Sequence, residues 1–235
     1  MRFKRRARIR GYPTSSNGAS SLHLAWDAPA AREVSAVLEI VHPPTVDDLY
    51  FWALQASFVD RGRRVGGAHL GLQWYSRHPG STAVNWGGYR DGASLRGSNV
   101  SRELAGEPSP LPSATGNPNT RDFPWHPNRR YRLRIHGEGD GWWTGEVTDL
   151  TTDVTTVVRR LDGGGTALAS PVVWSEVFAR CDAPSTTVRW SDLSPRPATK
   201  LRQSYQSHVD GGCANTASIP DGNGWLQVTN QTRVG

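Results

Sequence analysis

An antiparallel two-sheet β-sandwich of jelly-roll type is the fold that this sequence predicts, and three observations predict it. Apolar residues recur with a period of two in runs of strand length. Turn signals rich in Gly, Pro, Asp and Asn separate those runs about every eight to twelve residues. No stretch carries the helical period between strands that a parallel sheet would need for its crossovers.

Each element follows in order. Leu22, Leu24 and Trp26 alternate before the turn at Asp27–Pro29 and make a first strand. Residues 33–41 (EVSAVLEIV) make a second, stopped by Pro43 and Pro44, which cannot donate to a ladder. The centre of the chain is a meander of three runs, LYFWALQASF, AHLGLQWY and TAVNWGGY, broken by RGRRVGG and SRHPGS. Residues 91–128 are polar, rich in Pro and Gly and without either period, so they read as a long loop. Phe123, Trp125 and His126 predict that its end packs down onto the body. Tyr131–His136 and Trp142–Leu150 form a hairpin across GEGDG. Residues 155–161, 170–179 and 186–190 supply three more strands, and the tail adds a short one near Tyr205 and a last at 225–229.

At 235 residues, with 36% hydrophobic, 25 Gly and 16 Pro, the chain fits one all-β domain. Residues 1–19 are expected as a flexible basic arm and 20–235 as the sandwich. The net charge of +6 lies in the arm: residues 1–10 hold six basic groups and no acid, and without them 21 basic residues meet 21 acidic ones. Nucleic acid is therefore not expected to bind through the folded body. No run reaches the roughly 18–20 apolar residues of a membrane span. The arm resembles the charged start of a secretion signal, but GYPTSSNGAS follows where an apolar segment belongs.

Two cysteines, Cys181 and Cys213, have no metal-ligand spacing. Both fall at strand ends, and a bridge between them would close about 32 residues and contribute about 3–4 kcal/mol in the chain-entropy model. The bridge is expected, with two separate thiols as the alternative; it would favour an extracellular location. No cofactor is implied. Asp162-Gly-Gly-Gly165 and Asp221-Gly-Asn-Gly224 offer oxygens to Ca²⁺, but hairpin turns explain both.

The series YFWALQASF, HLGLQWYS and AVNWGGY, followed by YRLRIHGEGDGWWTGEVTD and VVWSEVF, resembles a bacterial domain family of unknown function. That family places an extended aromatic strand, a G-x-Q strand and an N/S-x-W strand in this order. It is similar in architecture to concanavalin A-like lectin and glucanase sandwiches, and the match spans roughly residues 20–230. The resemblance implies the sandwich fold and a concave sheet face that holds glycan.

Alternation then sorts the candidate residues. Gln55, His69, Gln73, Tyr75, Asn85, Arg134, His136, Trp174 and Glu176 all oppose the packing side of their strands. On one shared face, their amides and guanidinium would bond sugar hydroxyls while Tyr75 and Trp174 stacked on a pyranose. An ordinary solvated sheet face would show the same pattern. The leading expectation is non-catalytic, lectin-like carbohydrate binding. One alternative is a polysaccharide hydrolase or lyase on the same face, with Glu176 and either His69 or His136 as proton-transfer groups. Another is a protein-interaction or scaffold domain. The E-x-D-x-E run of concanavalin A-like glucanases is missing, and Glu146 and Asp149 fall on opposite strand faces. No G-x-S-x-G, phosphate-loop or H-E-x-x-H motif occurs.

Overall fold

The structure, a computed structural model, describes residues 10–91, 102–197, 201–206 and 217–229. Its strands are β1 (Ser20–Ala25), β2 (Glu33–His42), β3 (Tyr50–Asp60), β4 (Arg63–Trp74), β5 (Thr82–Arg90), β6 (Arg102–Glu103), β7 (Thr120–Asp122) and β8 (Arg130–His136). They continue with β9 (Trp142–Asp149), β10 (Val154–Asp162), β11 (Ala167–Val177), β12 (Thr186–Ser194), β13 (Arg202–Gln206), β14 (Ala217–Asp221) and β15 (Gly224–Thr229). Sheet I runs β13-β1-β11-β3-β4-β5-β6, with β7 also paired to β5, and sheet II runs β10-β9-β8-β2-β12-β15-β14. Every named pairing is antiparallel, and the two sheets form a jelly-roll-like sandwich.

The predicted alternation builds the core. Trp52, Leu54, Phe58, Leu70, Leu72, Val84 and Trp86 of sheet I face Leu38, Ile40, Leu133, Ile135, Trp143 and Trp190 of sheet II, all fully buried. Phe58 stacks on Trp143 across the gap at 5.3 Å between ring centres. A Cβ at Gly145 would lie 2.7 Å from the Trp86 indole, so a side chain there would force the sheets apart. Polar groups also cross the core: Gln227 Oε1 accepts from Ser175 Oγ at 2.5 Å and from Trp190 Nε1 at 3.1 Å. Of the Trp142-Trp143 pair, Trp143 points inward while Trp142 lies outside under the Arg160 guanidinium.

Four expectations need correction. Residues 10–19 were assigned to a flexible arm, yet Pro13 and Ala19 are buried and the Gly11 carbonyl accepts from the Cys181 amide. Apolar contact and backbone bonding fix this stretch beside the end of β11; residues 1–9 lie outside the described residues. The glycines at 163–165 do not turn a hairpin, because β10 and β11 belong to different sheets and the segment crosses between them. Residues 217–221 form β14, which was not expected, against β15. Within the long loop, β6 and β7 add short pairings to β5 and Leu104 is buried, whereas Phe123 and Trp125 pack against the core as predicted. Cys181 is buried, whereas Cys213 lies outside the described residues, so their pairing remains a prediction.

Candidate functional site

Strand register turns the outer face of sheet I into a grid. One row reads Val172, Gln55, His69 and Gly87 across β11, β3, β4 and β5. The next reads His23, Trp174, Ala53, Gly71, Asn85 and Thr120. The third reads Ser21, Glu176, Phe51, Gln73, Ala83 and Asp122. Gln55, His69, Gln73, Asn85, Trp174 and Glu176 therefore share one face, as their alternation predicts. Tyr75 stands just past the end of β4, with its ring against His78 and the Arg77 guanidinium.

Arg134 and His136 do not join them. β8 pairs with β2 and β9 in sheet II, so both side chains occupy the other sheet. There Arg134 bridges Glu146 Oε1 at 2.7 Å and Glu33 Oε2 at 2.6 Å, and His136 Nε2 lies 3.3 Å from Glu146 Oε2. The hydrogen bond from Arg134 holds the Glu33 carboxyl below its ordinary range. A carboxylate bound in this way stays ionised and takes up no proton near neutral pH, which argues for a structural role.

The sheet I face is not a solvated surface. Trp174 is only 3% exposed and Phe51 6%, and their rings meet edge to face at 4.8 Å. Trp174 also contacts His69 at 5.8 Å and His23 at 6.3 Å, and its Nε1 donates to Gln55 Oε1 at 3.1 Å. A ring enclosed in this way offers no free face, so Trp174 is not the stacking platform that was expected. Ala53 and Gly71 leave the room into which these rings fold. A Cβ at Gly71 would fall 2.6 Å from the Ala53 Cα.

Around this aromatic floor, Gln55, His69 and Glu176 stay partly exposed. Burial pushes the His69 pKa down to about 4, against an opposing pull from the Asn85 amide, so the imidazole is neutral at physiological pH. Glu176 is displaced upward by burial, and a 3.0 Å hydrogen bond from Asn17 Nδ2 works against that rise. Burial also lowers His23. Asn85 Nδ2 donates to Thr120 Oγ1 at 2.8 Å, which leaves the Asn85 oxygen for the His69 side. A neutral base, a carboxyl inclined to keep its proton and several amides thus face one side.

Sequence reasoning overlooked Phe51, His23, Asn17 and Thr120. Phe51 and His23 were open to it, since Phe51 alternates with Gln55 and His23 separates two core leucines. Asn17 and Thr120 lie in segments without a period. Among the described residues, no three His, Cys, Asp or Glu side chains gather to hold a metal ion, and no helix is long and apolar enough to cross a membrane. Among the described residues, exposed large apolar side chains fall on four separate segments: Tyr12, Tyr89 of β5, Val154 and Val157 of β10, and Ile219 of β14.

No family model and no curated protein matches the chain. Solved structures do. SCP-B, a member of the eqolisin family of peptidases in complex with the tripeptide Ala-Ile-His, superposes with a TM-score of 0.51 at 8% identity, covering 95% of this chain and 100% of that one. Scytalido-glutamic peptidase with a transition-state analogue inhibitor gives 0.50 at 9% identity, with the same coverage. Likeness at this identity is one of fold, and it places the chain among two-sheet β-sandwich proteins.

Proposed function

We propose that the protein is a polysaccharide-cleaving enzyme, hydrolase or lyase, acting on a chain laid across the outer face of sheet I. The observation that carries this reading is the opposite displacement of two groups on that face, Glu176 upward and His69 downward. Titratable groups on one face that their surroundings displace in opposite directions are suited to acid and base roles. Burial favours the protonated form of Glu176, which suits it to donate to a leaving oxygen, and neutral His69 accepts a proton from the substrate or from water. Glu176 stands two strands across from His69 and four residues along from it, with the Phe51 and Trp174 rings between their rows, so a bound chain would run over the floor from one group to the other. Gln55 and Asn85 offer donors and acceptors suited to hydroxyls. The two peptidases share the architecture, which is compatible with hydrolysis on such a sandwich.

The enclosed Trp174 weakens the purely lectin-like alternative. That reading, on a face resembling the concanavalin A-like kind, retains one point of support, the Gln55 and Asn85 amides that face the same side. The test is a panel of polysaccharides, with unfolded protein as a further substrate, assayed for new reducing ends, unsaturated sugar ends and free amines. Glu176→Gln is expected to lower glycan cleavage at least about 100-fold while remaining folded. Full activity in that variant would remove Glu176 from the chemistry, and cleavage of protein alone would overturn the polysaccharide assignment.

A further inference from the structure

The charge balance of the body conceals a local cluster of arginines. Arg63, Arg64 and Arg90 line a hollow of ≈ 490 Å³ whose floor is the backbone of Gly163, Gly164 and Gly165. We propose that this hollow is a subsite for the carboxylate groups of an acidic polysaccharide; the inference rests on the polysaccharide reading above and names the class of its substrate.

The hollow adjoins the reaction face. Gly87 lies opposite His69, and Tyr89, two residues further along β5, points to the same side. Tyr89 Oη accepts from Arg64 at 3.2 Å, and the Arg64 guanidinium sits 5.6 Å from the centre of its ring. Arg90 is fixed from the other side, donating to the side chain of Asp162 at 2.7 Å and to its carbonyl at 3.2 Å. Guanidiniums already held in place lose little entropy on meeting a carboxylate, and their forked donors suit its two oxygens.

The floor is built to stay bare. Gly164 and Gly165 both have positive φ, at +66° and +76°. A Cβ on Gly164 would stand 3.6 Å from the Arg90 guanidinium, and one on Gly165 would strike the Val59 carbonyl at 2.8 Å. Trp143 Nε1 ties the segment to the core by donating to the Gly164 carbonyl at 2.8 Å.

The counter-charges indicate the class of anion. Asp162 pairs with Arg90, Asp91 lies 3.6 Å from Arg64, and Asp60 also lines the hollow. Arg63 makes no ion pair among the described residues and is exposed on the rim. The three arginines and three aspartates of the hollow balance, so a multiply charged phosphate meets no net attraction there, whereas a single carboxylate, repeated once per sugar, needs only the forked donors of one guanidinium, which exposed Arg63 offers.

The test measures binding to the full chain by calorimetry. Polygalacturonate and hyaluronan are compared with their methyl-esterified forms, alongside dextran sulfate and neutral xylan. At least one free-acid polymer is expected to bind about tenfold more tightly than its ester, and added salt should erase that margin. Arg63→Ser and the Arg63→Ser/Arg64→Ser double variant should lose the preference at an unchanged thermal midpoint. Equal binding of acid and ester, a preference retained in the double variant, or a preference for dextran sulfate alone overturns the inference. If neutral glycan is still cleaved, the reading of function stands without it. If no glycan of any charge is bound or cut, that reading has failed and the subsite falls with it.

Discussion

Replacing His69 with Gln should flatten the acid limb of the stability profile. In the folded chain this imidazole lies against Phe51 and Trp174, and its pKa is held near 4, below the ordinary 6.5. As pH falls, the unfolded chain takes up the proton first, so stability present above about 6.5 is lost progressively until the folded imidazole also protonates near 4. At about 1.4 kcal/mol per pH unit, that interval corresponds to a loss of about 3 kcal/mol. Urea unfolding of both proteins, followed from neutral pH down to about 4, isolates this contribution. The other histidines with lowered values, His23 and His78, titrate alike in both and cancel in the difference. Stability curves that stay parallel over this range, or an imidazole resonance of His69 titrating near 6.5, would refute the argument.

The inter-sheet link at Gln227 gives a second expectation. Gln227→Leu leaves the buried Ser175 hydroxyl and Trp190 Nε1–H without their acceptor, and relief of the unpartnered Gln227 Nε2 offsets part of the loss. The net cost should be about 1–3 kcal/mol, and Ser175→Ala combined with it should cost less than the sum of the two. Denaturant midpoints check both statements, and an unchanged midpoint would contradict them. The cysteines give a third: folded, unreduced protein should show no titratable thiol, and two free thiols would exclude the Cys181–Cys213 bridge.

Alternation made most of this fold legible. The meander Tyr50–Gly88 carries the period so clearly that packing and outer sides of β3, β4 and β5 were assigned residue by residue. The same rule placed Trp174 and Glu176 outward on β11. It could not say which strands are neighbours, because a period of two describes a strand and not its partners. Arg134 and His136 were therefore grouped with residues of the opposite sheet. Nor could it foresee that Ala53 and Gly71 would let Phe51, His69 and Trp174 fold together into a buried floor, since that depends on three strands at once. β6 and β7 are two and three residues long, too short to carry a period. β14 escaped notice because its five residues include Pro220.

One consequence of the strand order concerns synthesis. β11 lies between β1 and β3, yet it follows them by more than a hundred residues in the chain. While the chain leaves the ribosome, β1 and β3 wait with a vacant slot between them, and their unpaired edges are open to strands of other molecules. The late arrival of β11 closes that slot and delivers Trp174 and Glu176 in the same event. The edges of β1 and β3 that face the slot therefore stay open until the chain has reached β11, and the outer face of sheet I is incomplete over the same interval.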